Sequence, residues 1–461
     1  MKTLSKTKDL TQGPITRELL LFMLPLLAGS LIQQMYNTVD LIFIGQFAGK
    51  EAAAAVGSGS LLVTCMIGFF TGMGTGVGIL VSRFFAGKEE DQVRQTIHCT
   101  AALVILFSIS LTLIGIVLTP WFLRLMHTPE SILIEGVRYL RIYLLSLFSI
   151  VTYNLGAGIL RALGNSRAPM YYQLIGGIVN ILGNTLFIYV LRLGVTGAAF
   201  ATACSQTLAA LLVIHALCRL PQNYRLRFKS IRLDPQLSVR IFKLGIPAAV
   251  QAITMTLSNL VLQSCINRMG VESIAAFTAY FKIENLIYLP ILAFGQTAST
   301  FTSQNLGAGA MDRIRKGTKV SIWMGVSITV ALSAIVLSFS GAFFSLFSKD
   351  AEVIRLGEEI ARVAYTFYFL YVFLEVYSSV IRGAGKTLVS MIIALSNLCG
   401  LRLFLLFWIM RLSPDAVTVA MVYPLTWAST AFCMFLYYRS GKWCEAFRKP
   451  PVLPRKEESF D

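Results

Sequence analysis

The stretch ELLLFMLPLLAGSLIQQMYNTVDLIFIG, from Glu18 to Gly45, decides how the rest of the chain is read. As an α-helix at 1.5 Å per residue it would reach ~42 Å, more than the ~30 Å hydrocarbon core of a bilayer. Beyond Glu18 it holds a single ionisable side chain, Asp40. A polar, basic segment precedes it and no small-residue cleavage site closes it, so it is expected to remain as a first transmembrane helix rather than leave as a signal peptide.

Runs of the same kind recur almost to the end of the chain. With the first at 18–45, spans are expected at 54–82, 96–118, 134–160, 169–191, 195–217, 241–267, 274–304, 318–346, 356–381, 388–411 and 415–438. Composition agrees: 56% of residues are hydrophobic and 14% charged, whereas soluble domains carry about 25% charged residues. The expected fold class is therefore an all-α integral membrane protein of about twelve transmembrane helices.

The net charge of +17 could suggest nucleic acid, but the basic residues sit in short loops between apolar runs, as topogenic signals do. One set of loops holds Arg83, Lys88 and Arg94, then Arg161 and Arg167, then seven basic residues from Arg219 to Lys243. It continues with Arg313, Arg315, Lys316 and Lys319, then Arg382 and Lys386, and ends in the basic tail. The opposite loops hold only Lys50, Arg124, Arg192, Arg268, Lys349, Arg355 and Arg411. The bias puts both termini in the cytoplasm of a cell-membrane protein, with a lipid bilayer and no nucleic acid as its surroundings. The eight cysteines form no C-x-x-C pair and the three histidines no cluster, so neither a disulfide framework, a catalytic centre nor a cofactor is expected.

The two halves resemble each other. Pro25 and Pro247 stand 222 positions apart, and the same offset pairs Asn37 with Asn259, Thr75 with Thr297 and Gly87 with Gly309. Arg161 and Gly164 match Arg382 and Gly385 at an offset of 221. The chain divides accordingly into a six-helix lobe at 1–217, a linker at 218–240 rich in basic residues, a second six-helix lobe at 241–438 and a basic tail at 439–461. Six helices per repeat is an even number, so both repeats enter from the same side and a pseudo-twofold axis runs along the membrane normal. Two such bundles face each other across a central cleft, the architecture of alternating access.

Ionisable residues inside the spans cost ~2.5–3.5 kcal/mol or more at the bilayer centre and are the first functional candidates. They are Asp40, Lys282, Glu284, Glu375 and Arg402. Gln33, Asn37 and Asp40 share one helical stripe by their spacing of four and three. Asn180 and Asn184 lie one turn apart in the fifth span, and Thr202 and Gln206 in the sixth. Three helices of one half thus offer oxygen-bearing groups, the chemistry of a proton or hard monovalent-cation site. Asp40 aligns with Leu262, so the second half lacks the acid and is expected to act mainly as a rocking partner. Lys282 and Glu284 are placed near the outer interface, snorkelling or pairing with other helices, and Glu375 and Arg402 are given structural roles. Gly383-Ala384-Gly385-Lys386-Thr387 mimics the end of a nucleotide-binding loop, but Val380 stands where the first glycine is needed and no strand precedes it. It reads as a turn between helices. The glycines from Gly68 to Gly78 read as close helix packing.

Gly13-Pro14, Leu24-Pro25, Tyr36-Asn37-Thr38-Val39-Asp40, Ala86-Gly87, Arg161-Ala162-Leu163-Gly164-Asn165, Gln304-Asn305-Leu306-Gly307-Ala308 and Arg382-Gly383-Ala384-Gly385 together resemble the multidrug and toxic compound extrusion (MATE) family over essentially the whole chain. The likeness implies two six-helix lobes and export of organic cations against inward H⁺ or Na⁺ flow. In the prokaryotic branch resembling the DNA-damage-inducible type, the first-helix Asp is the main cation-linked carboxylate, matched here by Asp40. The fifth-helix Asn-then-Asp pair becomes Asn180 and Asn184, and the sixth-helix Thr becomes Thr202. Those four residues are the expected H⁺ or Na⁺ site, and one acid fewer favours protons. Another branch's seventh-helix Glu falls near Gln251. Gln33, Tyr36, Asn37, Asn154, Gln206, Gln251 and Asn259 are the expected substrate-cleft residues of a monomeric antiporter. Its rivals are a flippase of lipid-linked saccharides, which would need Arg138, Arg141 and Arg402 around a diphosphate, and a membrane-embedded enzyme.

Overall fold

The computed structural model describes residues 8–412 and 415–444, so Lys2, Lys6 and positions 445–461 of the expected basic tail lie outside the described residues. Among the described residues twelve long helical units follow one another, with a short helix, Ser340–Ser345, between the ninth and the tenth. In the first lobe they are α1 (Ile15–Ala48), α2 (Lys50–Ala86), α3 (Glu90–Leu125), α4 (Glu130–Leu145 with Leu147–Ala162), α5 (Arg167–Val190) and α6 (Gly194–Cys218). In the second they are α7 (Pro235–Ile266), α8 (Val271–Gly307), α9 (Met311–Ser338), α10 (Ala351–Thr366 with Phe369–Gly383), α11 (Thr387–Leu412) and α12 (Ala416–Ser440). Among the described residues nine are long and apolar enough to cross a membrane, eleven with the two bent pairs. The twelfth, α8, carries Glu272, Lys282 and Glu284 over 37 residues and stands where α2 stands in the first lobe.

The starts of α7, α10 and α12 are written in their caps. Asp234, Asp350 and Asp415 each accept from two backbone N–H groups of the first turn, at 2.8–3.3 Å, satisfying donors a helix start leaves open. Two expected single spans, 134–160 and 356–381, are instead helices bent by 47°. The breaks fall at Ser146 and at Phe367–Tyr368, equivalent places in the repeat, and hydropathy is blind to them because both arms stay apolar.

Large apolar side chains cover the outside: Val117 is 73% exposed, Trp323 72% and Leu346 78%. Exposed apolar area of this kind suits lipid as the solvent.

Two seams join the lobes, and they are built differently. Along α2, a Cβ at Gly72 or Gly76 would run into the backbone of Ala249 or Gly245 in α7, so these helices meet backbone to backbone. The repeat counterparts of Gly72 and Gly76 in α8 are Phe294 and Ala298. There α8 meets α1 through side chains, with Phe294 and Phe301 packed among Leu19, Phe22, Met23 and Leu26. Hydrogen bonds close the same end of the molecule. Ser303 Oγ donates to Ile79 O at 2.7 Å and Gln304 Nε2 to Ala162 O at 2.7 Å. Arg83 Nη2 donates to Ala384 O at 3.0 Å. This is the end that carries the basic loops. Gly385 turns there with a φ of +85° between α10 and α11, the helix–helix turn expected of that glycine-rich motif.

Candidate functional site

Above the closed end, the first lobe and α8 enclose a cleft of about 530 Å³, within the ~300–1,000 Å³ usual for small-molecule sites. Of the expected cleft residues, Gln33, Tyr36 and Asn37 of α1, Asn154 of α4 and Gln206 of α6 line it, as do Asp40 and Thr202. Gln251 and Asn259 lie outside the lining. Asn259 Oδ1 instead accepts from Arg402 Nη1 at 3.1 Å, which supplies the partner that a mid-helix arginine requires.

Asp40 is half-buried at the wall of the cleft. Behind it stand Asn180 and Asn184, which are 1% and 0% exposed. Asn184 Nδ2 donates to Asp40 Oδ1 and sits 3.3 Å from Asn180 Oδ1. The remaining oxygen, Asn184 Oδ1, is buried with no hydrogen-bond partner among the described residues. An amide oxygen so placed beside a carboxylate can accept from a donor or a cation, which would offset the desolvation cost of burying it. Both helices widen into a π-helical turn just past these residues, at Ile44–Ala48 and Thr185–Val190, a distortion frequent at functional sites. Tyr36 and Gln173 extend the polar wall, Gln173 Nε2 donating to the Tyr36 hydroxyl at 2.8 Å. Thr71 Oγ1 donates weakly to Asn154 Oδ1 at 3.4 Å.

In the second lobe Glu375 and Arg382 answer each other. Glu375 Oε1 accepts from Arg382 Nη2 at 2.7 Å and from Ser379 Oγ at 2.9 Å, so the structural role expected of Glu375 holds. Glu284 pairs with another helix, as expected: 13 residues into α8, ~20 Å along the helix, it accepts from the Tyr368 hydroxyl at 2.8 Å. Lys282, on another face, is exposed.

Among the described residues the lining holds one carboxyl, Asp40, and one guanidinium, Arg161. Arg138, Arg141 and Arg402 do not line it, so the cationic cage required by a diphosphate is missing. Arg161 was not among the expected cleft residues, since its place at a span end reads as an orientation signal. The signal for it lay in the repeat, where Asn154 stands at the position of Glu375.

The MatE family profile matches residues 25–186 and 247–408. The two matches begin 222 residues apart, the offset that pairs Pro25 with Pro247. The chain is 26% identical over 443 residues to "Probable multidrug resistance protein YoeA" of Bacillus subtilis, covering 94% of this chain and 95% of that protein. It is 27% identical over 450 residues to "Probable multidrug resistance protein YpnP" of the same organism, covering 95% and 98%. Among solved structures, the outward-facing conformation of a multidrug resistance MATE family transporter superposes with a TM-score of 0.88 at 22% identity, over 94% of this chain and 98% of that one. That likeness establishes the two-lobe fold.

Proposed function

The chain belongs to the MatE family of membrane transporters, and from that premise we propose that it is a secondary active antiporter exporting organic cations in exchange for H⁺ or Na⁺. The observation that carries this reading is Asp40, the one carboxyl that the described residues bring to the cleft, seated on Asn184 and Asn180 and facing a space of about 530 Å³. One carboxylate exposed to the cleft binds either the coupling cation or a cationic substrate. Exchange follows when each ligand favours a different state of the transporter.

In the cycle proposed, the basic loops and both termini are cytoplasmic and the protein works as a monomer in the cell membrane. The arrangement described, sealed at the basic end, is then the outward-facing one. Asp40 takes the coupling cation there and releases the substrate. The loaded lobes rock about the α2–α7 and α1–α8 seams, and the cation is delivered inside. Asp40, the Oδ1 atoms of Asn184 and Asn180, and the Thr202 hydroxyl are the oxygens offered to Na⁺. A single acid among them favours the proton, which needs no further ligands.

The test is fluorescent-dye accumulation in everted vesicles, whose outer face is the cytoplasmic one, with protonophore addition compared against Na⁺ removal. Asp40→Asn is expected to insert normally and to export at the level of vesicles lacking the protein. Export by that variant at the wild-type rate would remove the proposed site.

A further inference from the structure

We propose that Arg161 forms an anion subsite on the floor of the cleft, so that the transported molecules include zwitterions whose carboxylate or phosphate pairs with it. This rests on the reading of the cleft as the transport site.

The argument starts from the repeat. Arg382, the counterpart of Arg161, is held by a complete set of acceptors: Glu375 Oε1 at 2.7 Å, Ser378 Oγ at 2.7 Å and Ser379 Oγ at 2.6 Å. At the same offset the first lobe has Asn154, Ala157 and Gly158 in place of Glu375, Ser378 and Ser379. Every acceptor of the Arg382 cage is therefore replaced by a neutral amide or removed. The side chain of Asn154 is used elsewhere, its Nδ2 donating to Ile150 O at 2.8 Å and its Oδ1 accepting from Thr71. Among the described residues Arg161 has no hydrogen-bond acceptor and no carboxylate. The titratable side chain set against it is Tyr153, whose hydroxyl donates to Pro169 O at 3.2 Å.

Arg161 is half-buried and lines the cleft. A guanidinium in this position needs an anion or water, and its planar fork of donors suits the two oxygens of a carboxylate or phosphate. An arginine retained only for orientation could equally sit in the loop beyond Gly164, outside the cleft. With Asp40 higher on the wall, the cleft presents one charge of each sign to a single occupant.

The experiment uses the full chain in nanodiscs and two probes, a rhodamine dye with a free carboxylate and its methyl ester, which keeps the same cation. Fluorescence anisotropy reads the affinity for each. The wild type is expected to bind the acid more tightly than the ester, by roughly tenfold or more for a charge-assisted pair. Arg161→Gln is expected to abolish that preference. Asn154→Glu keeps the arginine but installs the partner that Glu375 provides in the second lobe, and is expected to abolish the preference as well while raising the unfolding temperature. An acid-to-ester ratio at the wild-type value in either folded variant overturns the subsite, as does a wild type with no preference for the acid. Asp40→Asn separates the two readings. Loss of dye export in that variant together with an unchanged acid preference in Arg161→Gln removes the subsite and leaves the antiport reading standing.

Discussion

In the second lobe Arg382 is clasped by Glu375 and two serines, and Glu284 is hydrogen-bonded by Tyr368. In the first lobe the counterpart arginine meets no acceptor among the described residues, and the acid, Asp40, rests on amides, one of whose buried oxygens has no partner among those residues. The two lobes share one six-helix plan and handle charge in opposite ways. Buried charges that are fully paired stiffen a bundle and offer nothing to a ligand, since each already has its counter-charge or donors. On the proposed reading, a charge left without its partner while the fold is kept is one that a ligand can answer.

That contrast can be broken at three places. The largest effect is expected at the seam. Gly76→Val places a branched side chain into the backbone of Gly245, so the basic end should no longer close and export should fall to background. Thiol labelling of single-cysteine variants near Ile79 reads the opening directly, and a wild-type export rate would show that this seam need not close. Next comes Glu375→Gln, which leaves Arg382 in place without its counter-charge. Breaking a buried pair from one side costs about 3–5 kcal/mol, read as a marked fall in the unfolding temperature in detergent. A shift too small to detect would mean that the serines alone carry Arg382. The smallest effect is expected at Glu284→Gln. The amide oxygen still accepts from Tyr368, so stability should fall by ~1 kcal/mol or less and coupled export should persist. Loss of coupling in that variant would end the division into an ion-binding lobe and a rocking partner.

The fold was legible in the sequence to a large degree. Apolar runs separated by basic loops require helices that satisfy their own backbone in lipid, and the matched prolines and the Arg-x-x-Gly motif exposed the repeat. The site was legible in part. The spacing of Gln33, Asn37 and Asp40 identified one polar stripe, and the turn spacing in the fifth and sixth spans identified two more. The bends at Ser146 and Phe367 were not legible, because a kink between two apolar arms leaves no mark in hydropathy. Gln251 was drawn toward the cleft by the family resemblance and Asn259 by its pairing with Asn37 in the repeat, yet the cleft lies on the first-lobe side and Asn259 is taken up by Arg402.

By itself the sequence determined that this chain lives in lipid, that it is built twice and that Asp40 is its most exceptional acid. These follow from composition and period, which are properties of one strand of residues. Only the tertiary structure decided which charges are answered. Asn184 lies 144 residues from Asp40 and Gln304 lies 142 from Ala162, so pairing across the bundle depends on how helices pack, and packing sets which donors lie within ~3 Å of which acceptors.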